Sequence, residues 1–267
     1  MKKVTIDASE KHYRLLNEEI KALLAEGSID EIELVKINGH RYIGTGIHSN
    51  AVLDIHGIPG NDLGAFMDGL TIRVHNQVQD GVGNTMNSGK IVIHGYAGDV
   101  TAYGMRSGKI FIRDDVGYRA CIHMKEYKEL KPVVIIGGCT GDFAAEYMAG
   151  GIMIVLGLNR SSNEPLVGDY FATGMHGGVA YVRGRVDERY LGKEVKAFTT
   201  TKEDLDLLTS LIEEFCLEFP GYDPKKILDA EFSKIIPVSK RPYGRLYSYG
   251  NTPLEKTNYG DYAIIEG

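Results

Sequence analysis

The sequence has few cysteines, and they are far apart. Cys121, Cys139 and Cys216 are separated by 18 and 77 residues. Zinc sites, iron–sulfur clusters and dithiol centres use closely spaced pairs such as Cys-x-x-Cys, so this chain lacks their ligand pattern. We interpret the three cysteines as buried free thiols.

The chain also lacks a basic surplus and a long hydrophobic run. Its formal net charge is −6 over 267 residues, which argues against a nucleic-acid surface. No segment approaches the roughly 20 apolar residues of a membrane span, and residues 1–7 become polar too soon for a signal peptide. We therefore expect a cytoplasmic protein, and its 43% hydrophobic residues suffice for a sizeable core.

What the sequence does contain is a short repeat. Apolar runs end at His56, His75, His94 and Arg113, with a constant step of 19 residues, and continue through Ile136, Leu156 and Arg183 with steps of 23, 20 and 27. The runs are rich in β-branched residues and flanked by glycines, which suit sharp bends or close approach of neighbouring coils. A β-rich period of this length predicts a solenoid whose coils stack on one another. The glycines assigned to this structural motif are Gly64, Gly69, Gly89, Gly95, Gly98, Gly104, Gly108, Gly150, Gly151, Gly174, Gly177 and Gly178.

The repeat divides the chain into four segments. Residues 1–46 are predicted to hold an amphipathic helix from Ser9 to Leu24 and a strand, Ile32–Ile37, and residues 47–186 form the repeat array. Residues 187–237 are predicted to be helices that cover the open end of the array, the first beginning near Thr200–Glu203, where Thr precedes Glu at N-cap spacing. Residues 238–267 form an arm rich in tyrosine, which we expect to pack on another surface. Its tyrosines are Tyr243, Tyr247, Tyr249, Tyr259 and Tyr262.

Several segments resemble the C-terminal GXGXG domain of the glutamate synthase large subunit. Two are specific: Glu146–Gly151 reads Glu-Tyr-Met-Ala-Gly-Gly, and Gly174–Val182 reads Gly-Met-His-Gly-Gly-Val-Ala-Tyr-Val. The resemblance covers roughly residues 32 to 237. The other matching segments are Ile37–Gly44, Gly64–Phe66, Gly69–Thr71 and Asn87–Ile93.

The resemblance implies a right-handed parallel β-helix. With the repeat count and the helical segments, the predicted fold is mainly β, a single-stranded right-handed parallel β-helix of six or seven coils with flanking N- and C-terminal helices. In that family the domain has no catalytic residue, and it supports a glutaminase and an FMN-binding synthase domain that make glutamate from glutamine and 2-oxoglutarate. The chain has Lys2 where a nucleophilic cysteine would stand, and it lacks the cluster cysteines. It is therefore expected to be a scaffold subunit of a split glutamate synthase in nitrogen metabolism. No catalytic, cofactor or metal site is expected in this chain, and FMN and an iron–sulfur cluster are expected on partner subunits.

Two other functions remain open. One is a scaffold in a different oxidoreductase complex, because a subunit of formylmethanofuran dehydrogenase has a similar glycine-repeat β-helix. The other is an independent enzyme that uses a groove along the coils, although such grooves usually carry a column of Asp, Glu or Arg. A homo-oligomer is also possible.

The histidine column is the most regular polar feature of the repeat. His56, His75 and His94 occupy one position on successive coils and are expected about 4.8 Å apart. With Arg113 next and no carboxylate at the matching position, a solvated or partner-facing cationic column is favoured over a metal site.

Other polar features have simpler interpretations. The segment Gly83–Ile91 differs from a P-loop in spacing and lacks the hydroxyl after its lysine, so it is interpreted as repeat structure. Asp142 and Glu146, near Cys139, are expected to cap backbone amides at a coil corner rather than to act in catalysis. Asn38 and Arg41 are candidate polar anchors for a partner, with a local turn bond from Asn38 as the alternative. The inserts 125–132 and 160–167 are predicted to face partners.

Overall fold

Eleven strands form one continuous sheet that winds into a solenoid of about six turns in the computed structural model. The structure describes residues 2–161 and 164–238, so all but the first residue of the predicted tyrosine-rich arm lies outside it. The strands are β1 (Lys3–Asp7), β2 (Glu31–Asn38), β3 (Val52–Ile58), β4 (Thr71–Val74), β5 (Lys90–Ile93), β6 (Lys109–Ile112), β7 (Val133–Ile136), β8 (Ala149–Val155), β9 (Gly177–Arg183), β10 (Val195–Thr199) and β11 (Phe232–Pro237). The helices are α1 (Tyr13–Ala25), α2 (Lys202–Glu218), α3 (Pro224–Leu228) and a 3₁₀ turn at Glu188–Tyr190. The predicted mainly β solenoid is confirmed.

Strands β1 to β9 pair in parallel and in chain order. The register places equivalent residues of successive coils beside one another, so each side-chain position becomes a column along the sheet. One inward column is aliphatic throughout and fully buried, and this column forms the inner core. Its members are Ile32, Leu53, Ile72, Ile91, Ile110, Val134 and Met153.

Parallel pairing begins earlier than residue 47, because β1 pairs with β2 and β2 with β3. The first helix starts four residues later than predicted, at Tyr13, after an N-cap in which His12 accepts a hydrogen bond from the Arg14 amide. Its Leu16 and Ile20 are fully buried and join the inner core. The N-terminal helix and strand are therefore part of the solenoid rather than a segment in front of it.

The corners opposite the strands have an unusual backbone. Each contains three residues of positive φ separated by single residues, as in Asp62 (60°), Gly64 (66°) and Phe66 (57°). Their amides bond to adjacent coils in alternation, with Gly64 donating to the preceding coil and Phe66 to the next, both at 2.8 Å. These bonds offset the roughly 1–2 kcal/mol that a non-glycine residue loses in this conformation. The seven corners begin at Tyr42, Asp62, Gly81, Val100, Arg119, Phe143 and Tyr170.

The glycines of the predicted motif have two structural roles. Most have positive φ, including Gly89 (100°) at the entry to β5, where an added Cβ would also overlap the Leu70 carbonyl. The others have negative φ but approach a neighbouring coil closely. At Gly98 an added Cβ would overlap Asp80 Oδ1, which accepts a hydrogen bond from the Asp99 amide at 2.9 Å. Those with negative φ are Gly95, Gly98, Gly150 and Gly177.

The long helix α2 lies along the outer flank of the sheet and not across its end. Its buried face, which includes Leu208, Ile212 and Phe215, packs in a second core on Val92 and Phe111 of the outward-facing sheet column. The prediction that helices cover the open end is therefore wrong. The exposed edge of β9 is instead covered by β11, which pairs with it antiparallel, and β10 then pairs with β11. A strand satisfies the amides and carbonyls of a sheet edge, whereas an apolar helix face needs an apolar surface.

The start of α2 is held by a buried carboxylate. The N-cap is Thr201 and its capping-box partner is Asp204, one residue after the predicted pair. Asp204 also accepts hydrogen bonds from Tyr181 of β9 (2.6 Å to Oδ1) and Lys234 of β11 (3.0 Å to Oδ2). Burial opposes its charge, but Lys234, Thr201 and Tyr181 outweigh burial and lower the pKa of Asp204 to about 2.

The short helix α3 begins at Pro224 with Asp223 as its N-cap and buries Ile227, whereas Phe232, within the segment predicted to be helical, is a buried residue of β11. Among the described residues, no helix is both long enough and apolar enough to cross a membrane.

Candidate functional site

The outer flank of the sheet changes character along one column. The first coils place Glu33, Asp54 and Arg73 side by side, and the later coils place Val92 and Phe111 in the same column. Helix α2 covers the apolar part, as described above. The polar part, on β2 to β4, is partly exposed and lies beside His56 and His75 of the predicted histidine column. The third histidine, His94, follows β5 and contacts Phe219.

The three histidines stack as the repeat predicts. The ring centroids of His56 and His75 are 4.5 Å apart with an interplanar angle of 12°, and those of His75 and His94 are 5.4 Å apart at 19°. The stack ends where His94 meets the edge of Phe219 at 5.0 Å. The next residue of the column, Arg113, forms two hydrogen bonds with Asp114, at 3.0 and 2.9 Å.

No carboxylate stands at the matching position of the histidine column, as the sequence shows, but two carboxylates of the neighbouring column, Glu33 and Asp54, lie beside it. Asp54 lies between two of them, with Oδ1 at 2.7 Å from His75 Nε2 and Oδ2 at 3.3 Å from His56 Nε2. Glu33 Oε1 lies 3.6 Å from the same His56 nitrogen. Side chains two positions apart in a strand share a face, so a carboxylate two residues before His56, or on the preceding coil, reaches the column. The sequence signal for this carboxylate is Asp54-x-His56, which places Asp54 two residues before the histidine column rather than in it.

Charge is distributed unevenly along the stack. Burial, helped by the nearby His75 and Arg113, lowers the pKa of His94. The pKa of Glu33 is lowered by hydrogen bonds from Thr5 and Lys3 and by the neighbouring His56. The stack therefore has an acidic end at β2 and β3 and a less polar end under α2.

Helix α2 is fixed to the flank by ion pairs. Lys90 Nζ lies 2.6 Å from Glu218 Oε1 and 3.1 Å from Glu214 Oε1, and Lys109 also pairs with Glu214. Lys90 is the lysine of the P-loop-like segment, and both its glycines, Gly83 and Gly89, are coil-bend residues. The repeat interpretation of this segment agrees with that geometry.

Exposed aromatic side chains lie at or next to several coil corners. Phe66 is 51% exposed, Tyr118 is 52% exposed and Tyr170 is 59% exposed. Phe143 stacks on Tyr170 with centroids 5.0 Å apart. Large exposed aromatic residues are typical of protein–protein interfaces.

The two predicted anchors lie on the surface at the first corner. Asn38 is the last residue of β2, and its backbone amide donates a hydrogen bond to His40 Nδ1 at 3.1 Å. The Arg41 carbonyl accepts a hydrogen bond from Asn17 at 2.8 Å, and both anchors are exposed. Their role in binding a partner stays a prediction.

The carboxylates near Cys139 have different partners. Asp142 caps the Asp169 amide of the next coil at 2.8 Å, as predicted. Glu146 instead pairs with Arg119 at 3.0 Å, so the amide-capping prediction is wrong for this residue. Burial raises the pKa of the Cys139 thiol although the Arg160 side chain donates to its sulfur. All three cysteines are free and buried, which confirms their interpretation.

The structure describes all of the first insert predicted to face partners and residues 160, 161 and 164–167 of the second. In the first, Tyr127 and Leu130 form a tight turn through mutual backbone hydrogen bonds of 3.0 Å, and both side chains are at least half exposed. The second borders an open cleft of about 470 Å³ with several arginines. In this cleft Arg160, Arg185 and Arg189 pair with carboxylates.

Comparison with known proteins places the chain in a family. It is 50% identical over 254 residues to an uncharacterized protein of Methanocaldococcus jannaschii, covering 93% of this chain and 97% of that protein. Its fold is similar to a chain in the crystal structure of the formyltransferase/hydrolase complex from Methylorubrum extorquens in complex with methylofuran. That similarity has a TM-score of 0.60 at 18% identity and covers 86% of this chain and 89% of that one. The family model of the GXGXG motif matches residues 33–238, and the chain therefore belongs to the GXGXG motif family, as its resemblance to the glutamate synthase domain predicted.

Proposed function

We propose that the chain is a non-catalytic scaffold subunit of an oxidoreductase-type complex. The observation that carries this proposal is the set of exposed aromatic residues at or next to the coil corners, including Phe66, Tyr118 and Tyr170. Burying such side chains against another protein removes apolar area from water, at about 25 cal/mol per Å². The corners are held by backbone hydrogen bonds to the coils on either side, so a partner docked there would be held in a fixed position.

The partners that we propose first are a glutaminase-type and an FMN synthase-type subunit, as in glutamate synthase. Membership of the GXGXG family and the resemblance of Glu146–Gly151 and Gly174–Val182 to the glutamate synthase domain support this choice. In such a complex the chain would hold the two catalytic subunits in register so that ammonia passes between them. FMN and an iron–sulfur cluster would belong to the partners.

A second candidate is a scaffold in a complex that handles formyl groups. It is supported by the fold similarity to a chain of the formyltransferase/hydrolase complex. At 18% identity this similarity concerns the fold, so the two candidates differ only in the partners that the chain would bind.

The test is affinity purification of the tagged full chain from its own cells, followed by identification of co-purifying chains and a visible absorption spectrum. A glutaminase-like chain and a flavin-containing chain would support the first candidate. Formyltransferase-type or hydrolase-type chains would support the second. Recovery of the chain alone, without colour, would contradict the scaffold proposal.

A further inference from the structure

The acidic end of the histidine stack has the composition of a metal site. We propose that Asp54, His56 and His75, assisted by Glu33, bind one divalent transition-metal ion such as Zn²⁺. Imidazole nitrogens and carboxylate oxygens are the donors that zinc takes besides cysteine thiolate. The ligand atoms of Asp54, His56 and His75 all lie within 4.8 Å of one another.

The spacing of the donor atoms fits a tetrahedral ion. Zinc–nitrogen and zinc–oxygen bonds of about 2.0–2.1 Å place two tetrahedral ligand atoms about 3.3 Å apart. Asp54 Oδ1 is 2.7 Å from His75 Nε2, its other oxygen Oδ2 is 3.3 Å from His56 Nε2, and Glu33 Oε1 is 3.6 Å from His56 Nε2. These contacts lie close to the tetrahedral spacing, and binding through a single Asp54 oxygen requires small side-chain rotations.

Two local changes accompany binding. An ion lies in the plane of each imidazole that binds it, so His56 and His75 turn out of their near-parallel stack. Their side chains are 44% and 40% exposed, which leaves room for this rotation. Lys3 Nζ, now 3.4 Å from Glu33, keeps its second partner Glu31 at 2.9 Å when Glu33 turns to the ion.

The site joins successive coils of the solenoid. Glu33 lies on β2, Asp54 and His56 lie on β3, and His75 directly follows β4. An ion bound in the folded state alone stabilises that state in proportion to the logarithm of its free concentration. The bound metal would therefore stabilise the N-terminal coils.

The test is titration of the full chain, carrying a tag without histidine, with Co²⁺ followed by absorption and with Zn²⁺ followed by calorimetry and thermal unfolding. We expect one ion per chain, intense visible Co²⁺ bands of tetrahedral coordination and a rise in Tm with Zn²⁺. Asp54→Asn and His75→Gln should each weaken binding by at least ~10-fold.

His48→Gln is the matched control. His48 Nδ1 lies 2.9 Å from Asp68 Oδ2, so this pair has a histidine and a carboxylate but lies outside the three-residue cluster. The control should bind Co²⁺ like the unsubstituted chain. Should either ligand variant fail to fold by circular dichroism, His56→Gln replaces it. Absence of stoichiometric binding, or binding unchanged by the ligand variants, would overturn the proposal.

Discussion

Helix α2 offers a direct test of the flank packing because it has leucines on both its buried and its exposed face. Leu208 is fully buried in the second core, whereas Leu217, on the same helix, is 81% exposed. Replacing a buried leucine with alanine costs 2–5 kcal/mol, since packing contacts are lost and a cavity remains. The same replacement on the surface changes stability by less than about 0.5 kcal/mol. We take about 3 kcal/mol for Leu208→Ala, because the flank can relax partly around the cavity.

Thermal unfolding followed by circular dichroism measures the difference. For a chain of this size, 1 kcal/mol corresponds to about 2–4 °C in Tm, so Leu208→Ala should lower Tm by about 6–12 °C and Leu217→Ala by less than about 2 °C. The chemical change and the helix are the same in both variants, so the comparison isolates burial. Equal shifts for the two variants would refute the placement of α2 on the flank.

Three further predictions follow from buried groups and close coil contacts. Folding lowers the pKa of Asp204 from 3.8 to about 2, so the ionised carboxylate stabilises the folded chain by about 2 kcal/mol above pH 4, and this stabilisation is lost as the pH falls toward 2. The Asp204→Asn variant should therefore show a smaller fall of Tm between pH 4 and 2 than the unsubstituted chain, whereas the control Asp206→Asn should show the full fall. In denaturant unfolding, Gly89→Ala should lower the free energy of unfolding by about 1–3 kcal/mol more than Gly184→Ala. Both glycines have positive φ, but only at residue 89 would the added Cβ overlap another coil. Equal losses for the two variants would contradict the coil contact. Burial raises the pKa of the Cys121 thiol above its usual range. A thiol reagent at pH 8 should therefore label Cys121 only after the chain unfolds. Rapid labelling of Cys121 in the native chain would contradict its burial.

The sequence predicted the features that depend on the repeat. A constant step of 19 residues places His56, His75 and His94 in one column, and the structure stacks them at 4.5 and 5.4 Å. Because the strands pair in parallel and in chain order, residues one repeat period apart in the sequence lie side by side in the fold. The same reasoning identified the glycines at coil bends.

Features that depend on neighbouring columns were missed. Asp54 reaches the histidines from two residues earlier, which a comparison of one position per coil does not include. The location of α2 depends on the apolar column at Val92 and Phe111, whose side chains face outward. In the sequence these residues cannot be distinguished from inward-facing core residues of the same strands. The corner conformation was also hidden, because non-glycine residues such as Phe143 have positive φ there. Hydrogen bonds between coils stabilise that conformation, and they are known only once the fold is known.

The measurement that tests the central claim most directly is recovery of partner chains by surface variants of the full protein in its own cells. Phe66→Ser and Tyr118→Ser, combined on the coil corners, are compared with Leu217→Ser on α2, which is also exposed. A scaffold that docks partners on the corners should lose its co-purifying chains in the corner variant and keep them in the α2 variant, with both variants folded by circular dichroism. Full recovery of partner chains by the corner variant, or purification of the unsubstituted protein without any partner, would contradict the account.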